Sequence, residues 1–288
     1  MPPLLRALRP KQWAKNALVI AAPFAAGQLF TGSVLVATLS AFVCFCMAAS
    51  AVYLVNDVRD APKDRLHPDK QRRPIASGAV SPTLAVTVAV VLAAGALALA
   101  WFTRPALLGV LVVYLGLQVL YVVGLKDIPV LDIAVVASGF LLRALAGGAA
   151  TGIAISEWFL LVAGFGSLFV VAGKRYGELV TMRSLEGAEV GTTRSALTAY
   201  TPEYLRFVWT VAAAVTVIVY GLWVITVPRQ STTATLLSLV PFALALLEYA
   251  RTIDTGGGGE PEEAILRNPV LLLLGLAWVA TLGATLYR

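Results

Sequence analysis

With 288 residues, 59% of them hydrophobic, only 13% charged and a mean hydropathy of +0.83, the chain carries more apolar side chain than a soluble domain can cover with polar surface. That composition excludes a water-soluble globular domain. The net charge of +6 reads as membrane topology and as attraction for anionic substrates or lipid headgroups, with no nucleic-acid patch.

In chain order, about nine windows reach the roughly 20 apolar residues that a spanning helix needs. They are centred near Val19, Cys44, Val91, Leu115, Ser138, Ala163, Thr216, Phe242 and Leu274. None shows the strict alternation of outer-membrane strands, and the first has no small-residue cleavage pattern. The expectation is an all-α, polytopic membrane protein, one transmembrane domain over residues 1–288 lying in the lipid bilayer. Of the 22 Lys and Arg, all but Arg104, Arg143, Arg229 and Arg288 fall in alternate loops on the side of the N-terminus. Basic residues in short loops stay cytoplasmic, so the N-terminus is expected inside and the C-terminus outside.

Several features take ordinary readings. Cys44 and Cys46 point to different helix faces, which fits plain packing better than a disulfide or metal pair. The only histidine, His67, is expected in a solvated loop, with contact to a substrate phosphate as the alternative. Glycines 256–259 lack the Gly-Lys-Ser/Thr ending of a phosphate loop and read as a connector. The glycines and alanines of residues 139–148 let helices approach closely.

The first polar loop has a pattern. If the second helix continues past Val55, then Asp57, Asp60 and Asp64 fall at i, i+3 and i+7 on one face, with Asn56 one turn before Asp60. Like charges so spaced repel unless a cation joins them, and hard oxygen ligands suit Mg²⁺. The alternative is a solvated loop whose acids pair with Arg59, Lys63 and Arg65, with Pro62 ending the helix. Arg143 lies well inside its window, where a lone cation costs about 2.5–3.5 kcal/mol on insertion scales. It must face a cavity, as a substrate-phosphate contact, or bridge to another helix. Asp132 shares its helical face but lies about 16 Å along the axis, too far for direct pairing. Glu157 and Glu248 are expected at helix ends, near the interface.

The reading Asn56-Asp57-x-x-Asp60-x-x-x-Asp64-Arg65, followed by Arg73-Pro74-Ile75-x-Ser77-Gly78, resembles the first aspartate-rich motif of the UbiA superfamily of membrane-embedded prenyltransferases. Tyr121-x-x-x-Leu125-Lys126-x-x-Pro129-x-x-Asp132 is similar to that family's segment between its fourth and fifth helices. The resemblance covers essentially the whole chain. It implies a helical ring around a central cavity, a polar cap at the cytoplasmic face of a bacterial plasma membrane, and a lipid-facing portal.

The family's second motif is usually an Asp-x-x-x-Asp pair. Here that place reads Gly173-Lys174-Arg175-Tyr176-Gly177-Glu178, one acid with two cations, which favours bare phosphates over a second metal cluster. Together with Arg9-Pro10-Lys11-Gln12-Trp13-Ala14-Lys15-Asn16, it resembles the branch that transfers 5-phosphoribose from 5-phosphoribosyl diphosphate to decaprenyl phosphate, a polyprenyl phosphate, for cell-wall arabinan. That resemblance implies Mg²⁺ on Asp57, Asp60 and Asp64, neutralising charge on the departing diphosphate, with Asn56 orienting a ligand or a metal-bound water. Lys15, Arg73, Lys126, Lys174 and Arg175 would divide the donor and lipid phosphates, and Tyr176 or Glu178 would contact the ribose. The lipid phosphate is already ionised, so no general base is required. A homo-oligomer is compatible with this reading. Two alternatives stand beside it: prenyl transfer from a prenyl diphosphate to an aromatic acceptor, and an anion transporter.

Overall fold

A computed structural model describes residues 1–66, 70–184, 195–226, 232–256 and 261–287. His67, Arg194, Arg229, Arg288 and glycines 257–259 of the proposed connector lie outside the described residues. Among the described residues all regular structure is helical. In order it comprises α1 (Pro3–Ala7), a 3-10 helix (Pro10–Ile20), α2 (Ala21–Ala25), α3 (Gly32–Asp64), α4 (Pro82–Thr103), α5 (Pro105–Val123), α6 (Leu131–Thr151) and α7 (Glu157–Ser184). Then follow α8 (Ser195–Thr198), α9 (Pro202–Thr226), α10 (Thr232–Leu237), α11 (Leu239–Asp254), α12 (Pro261–Arg267) and α13 (Pro269–Leu286).

Eight helices among the described residues are long and apolar enough to cross a membrane, and each contains one of the expected windows from Cys44 to Leu274. The window at Val19 is built differently, as the 3-10 helix followed by α2. This stretch is not among the eight helices long and apolar enough to cross a membrane.

Helix boundaries follow local chemistry. Proline occupies the first turn of α4, α5 and α13, where its missing N–H is no loss. The side chains of Ser81 and Asn268 cap α4 and α13 by accepting from Leu84 N and from Val270 N and Leu271 N. The break between α10 and α11 falls at Ser238, three residues before Pro241, whose ring disrupts the preceding turn. Pro62, by contrast, lies inside α3, which runs on to Asp64. The helical condition on the acid triplet is therefore met.

The contacts gather the chain into two compact units, with α6 contributing residues to both. Unit 1 comprises Met1–Pro23, Gln28–Leu125 and Leu142–Ala154; unit 2 comprises Phe24–Gly27, Lys126–Leu141 and Ile155–Arg288. In unit 1, α3 and α4 meet along small residues: Ala41, Cys44 and Ala48 on one helix, Ala96 and Ala100 on the other, all fully buried. Small side chains let helices approach closely where lipid supplies no hydrophobic drive. Both cysteines are free and buried, with Cys46 Sγ accepting from Asn16 Nδ2 at 3.3 Å. Gly147 meets the 3-10 helix so closely that a Cβ there would lie 2.0 Å from Val19 O, as expected of a packing glycine. The outer faces of α4 and α5 carry exposed Val90, Val91, Val112, Val113 and Val119, the side turned to lipid.

Unit 2 is built on α7 against α9, with Phe169, Ala172, Tyr176 and Leu179 packed on Leu205, Trp209 and Ala212, and Tyr249 and Ile253 of α11 closing the cluster. Gly173 permits that closure, because a Cβ there would fall 2.3 Å from Ile253 Cδ1.

Candidate functional site

In unit 1 the last two turns of α3 carry the acid triplet. Asp57 and Asp64 are 3% and 5% exposed, and Asp60 and Asn56 are half-buried. A buried carboxylate needs a counter-charge, and arginines supply it. Arg9 Nη2 donates to Asp57 Oδ1 at 2.5 Å, and Arg73 Nη1 donates to Asp64 Oδ2 at 2.7 Å and reaches Asp57 Oδ1 at 3.4 Å. Among the described residues no group of three His, Cys, Asp or Glu side chains is gathered as a metal cluster. The donor chemistry of the pair nevertheless fits a hard cation, since a single nitrogen of Arg73 is shared by oxygens of both carboxylates. A positive centre can therefore bridge Asp57 and Asp64.

Arg73 is held by its own turn. Ser77 N donates to Arg73 O, Gly78 N to Ile75 O and Val80 N to Pro74 O, while Ile75, Ala76 and Val80 are buried. Gly78 has φ +81, which only glycine adopts without strain, so Arg73-Pro74-Ile75-x-Ser77-Gly78 is a turn that presents an arginine to α3. Arg59 and Arg65, expected as partners of the acids in the alternative reading, donate instead to the carbonyls of Val122 and Ala76.

Deeper in unit 1, Arg143 is 6% exposed. Its Nε donates to Asn16 Oδ1 at 2.7 Å and its Nη2 to Tyr114 OH at 3.1 Å, and its Cζ lies 5.0 Å and 5.6 Å from the Tyr114 and Phe45 ring centroids. These contacts tie α6 to α5, α3 and the 3-10 helix, the bridging role that stood as the alternative to a phosphate contact. Cation–π attraction of about 0.5–2 kcal/mol per ring offsets part of the burial cost. Lys15, next to Asn16, is half-buried and close enough to act electrostatically on Tyr114.

In unit 2, Arg175 is buried at 3% exposure. Its Nε donates to Asp132 Oδ2 at 2.8 Å and its Nη1 to Glu178 Oε2 at 2.7 Å, while Lys174 Nζ lies 3.8 Å from Glu178 Oε1. Asp132 thus pairs with Arg175. Tyr176 is buried, and its hydroxyl accepts from Arg206 Nη2 at 2.9 Å. Lys126 is half-buried in a short 3-10 turn, Leu125–Asp127.

Sequence reasoning missed Arg9 and Tyr200. The Tyr200 hydroxyl donates to Asp132 Oδ1 at 2.5 Å and accepts from Val130 N at 2.5 Å. Val130 has φ +69, costly for a β-branched residue, so the tyrosine holds a strained backbone beside the Asp132–Arg175 pair. Burial, and next the hydrogen bond to Asp132, push the Tyr200 hydroxyl above its ordinary pKa, so it stays a donor across the physiological range.

Comparison with known proteins agrees with this architecture. The model of the UbiA prenyltransferase family matches residues 17–274. The decaprenyl-phosphate phosphoribosyltransferase of Mycobacterium tuberculosis is 51% identical over 285 residues, 98% of this chain and 93% of that protein. Its namesake from Corynebacterium glutamicum is 48% identical over 291 residues, 99% and 86% of the two chains. Among solved structures, a UbiA homolog from Archaeoglobus fulgidus bound to GPP and Mg²⁺ superimposes with a TM-score of 0.72 at 19% identity, covering 99% of this chain and 100% of the other. The chain belongs to the UbiA prenyltransferase family.

Proposed function

We propose that the protein transfers 5-phosphoribose from 5-phosphoribosyl diphosphate to a polyprenyl phosphate such as decaprenyl phosphate, releasing diphosphate, as a step towards cell-wall arabinan. One observation carries the reading: over 98% of its length the chain is 51% identical to a protein named decaprenyl-phosphate phosphoribosyltransferase. The arrangement of charge supports it. An acidic helix end in unit 1 suits a metal-bound diphosphate, and in unit 2 the sequence puts Lys174, one-third exposed, where a prenyl diphosphate donor would use a second acidic pair.

Asp57, Asp60 and Asp64 would hold Mg²⁺, with Asn56 orienting a ligand beside them. When bound there, Mg²⁺ supplies charge neutralisation to the departing diphosphate. Arg73 sits between the carboxylates and the solvent side, its side chain 31% exposed, and would pass from acid to donor phosphate. Lys15 in unit 1, and Lys126 and Lys174 in unit 2, are each proposed as phosphate contacts. Arg175 would orient Glu178 towards the ribose from its fixed place on Asp132, with Tyr176 backing it, and Arg143 would hold Asn16 and so the segment bearing Lys15. The nucleophile is an ionised phosphate oxygen, so positioning replaces proton transfer. We further propose a single catalytic domain over residues 1–288 in the plasma membrane, with the N-terminus and the site on the cytoplasmic side and room for a homo-oligomer.

The test is incubation of purified protein with labelled 5-phosphoribosyl diphosphate, decaprenyl phosphate and Mg²⁺. A labelled lipid product is expected, and no labelled aromatic product when a labelled prenyl diphosphate and an aromatic acceptor replace the two substrates. Prenylation of the aromatic acceptor with no labelled phosphoribosyl lipid would overturn the assignment.

A further inference from the structure

Arg9 differs from the other cations of unit 1. It and Val130 are the two non-glycine residues with positive φ among the described residues, Arg9 at φ 54, a strained backbone worth about 1–3 kcal/mol that surrounding contacts must hold. Its backbone is held by Arg9 N donating to Arg6 O at 3.2 Å and Gln12 N donating to Arg9 O at 2.9 Å, and its side chain is held at the acid site. Its guanidinium donates to Asp57 Oδ1 at 2.5 Å and lies 4.9 Å from the Tyr53 ring centroid. The two partners are unequal in freedom: the Asp57 side chain is 4% exposed on a long helix, whereas that of Arg9 is 29% exposed and stands at the start of the 3-10 helix.

Each of the two buried acids also has its own guanidinium. Asp57 and Asp64 face Arg9 and Arg73, with Asp60 half-buried on the same helical face. Placing a divalent cation on Asp57 beside an unmoved Arg9 would set +2 against +1 a few ångströms apart, several kcal/mol of repulsion at an effective dielectric constant near 20. Both Arg9 and Arg73 also use the same oxygen of Asp57, Oδ1. The Arg9–Asp57 pair and a cation on Asp57 therefore oppose each other.

We infer that Arg9 is an exchangeable counter-ion: it leaves Asp57 as the divalent cation arrives, and its guanidinium turns to the diphosphate of the donor. The exchange rests on the metal assignment proposed above and adds a consequence to it. Metal alone must displace Arg9 into water, whereas metal with donor gives Arg9 an anion to bind, so the two ligands assist each other, and by linkage each does so equally.

The experiment uses the full-length protein in detergent micelles, with Mn²⁺ as the metal probe read by the electron paramagnetic resonance of the free ion, and binding of labelled 5-phosphoribosyl diphosphate measured separately. In Arg9→Gln, Mn²⁺ affinity without donor is expected to rise about tenfold, as follows from removing one charged hydrogen bond. Donor affinity at saturating Mn²⁺ is expected to fall by about the same factor. Arg9→Lys keeps the charge but cannot stack on Tyr53 and fork to Asp57 together, so it shifts both affinities the same way by less, and serves if the glutamine variant does not fold. A purely structural ion pair predicts Mn²⁺ binding unchanged or weakened in both variants, which would overturn the inference. Asp57→Asn separates the two levels of failure. If it loses Mn²⁺ while Arg9→Gln binds like wild type, only the exchange is wrong; if it binds Mn²⁺ as wild type does, the carboxylate assignment and the exchange fall together.

Discussion

In unit 1 the acids are buried and their arginines reach in from the surface; in unit 2 both members of the pair are buried. Asp57 and Asp64 show 4% and 6% of their side chains, against 29% for Arg9 and 31% for Arg73. Arg175 and Asp132 show 3% and 2%. An arginine one-third exposed can leave its buried carboxylate for another anion at modest cost only where a cation takes its place on the acid, because water solvates the arginine on the way. One that is fully buried cannot, since the departure would strand a charge in low dielectric. On the exchange inferred above, the first cluster would trade partners and the second would stay. This bears on the role proposed for Arg175, which the family resemblance gave to a substrate phosphate directly. Held on Asp132 and Glu178, it would act by fixing Glu178, and we propose its neighbour Lys174, one-third exposed beside Glu178, as the cation for a mobile phosphate.

The contrast can be broken from the unit 2 side. Arg175→Ala removes one partner of a buried pair and should cost about 3–5 kcal/mol, read as a lowered midpoint of reversible unfolding in mixed micelles. A loss of donor affinity with stability unchanged would instead make Arg175 a direct phosphate ligand. A smaller effect sharpens the same point. Tyr200→Phe deletes a hydroxyl that serves both Asp132 and the strained Val130 amide, and should cost about 1–3 kcal/mol for the unsatisfied buried groups. In a Val130→Gly background, where the positive φ is no longer strained, the cost of removing the hydroxyl should shrink. An equal cost in both backgrounds would show that Tyr200 does not act through Val130.

What could be read from the sequence was whatever repeats locally. Eight spanning helices were visible because each is a run of about 20 apolar residues, and the acid triplet because helical spacing stacks Asp57, Asp60 and Asp64 on one face. The cost of burying Arg143 was equally plain, and the structure meets it with Asn16, Tyr114 and aromatic faces. The first window gave the wrong impression of an ordinary α-helix, since hydropathy does not distinguish 1.5 from 2.0 Å of rise per residue. The partners of the acids were hidden for a different reason. Arg9 lies 48 residues from Asp57 and Tyr200 lies 68 from Asp132, separations at which no periodicity connects them. Positive φ at Arg9 and Val130 carries no signal either, because neither residue type favours it.

The central claim is that the acidic end of α3 drives phosphoribosyl transfer through a divalent cation. The most direct measurement is the rate of labelled lipid formation by Asp57→Asn, at saturating Mg²⁺ and both substrates, in protein shown to be folded. A fall of at least about a hundredfold is expected, on the scale of losing one charge-stabilising group from a preorganised site. A rate equal to that of the unaltered protein would contradict the account.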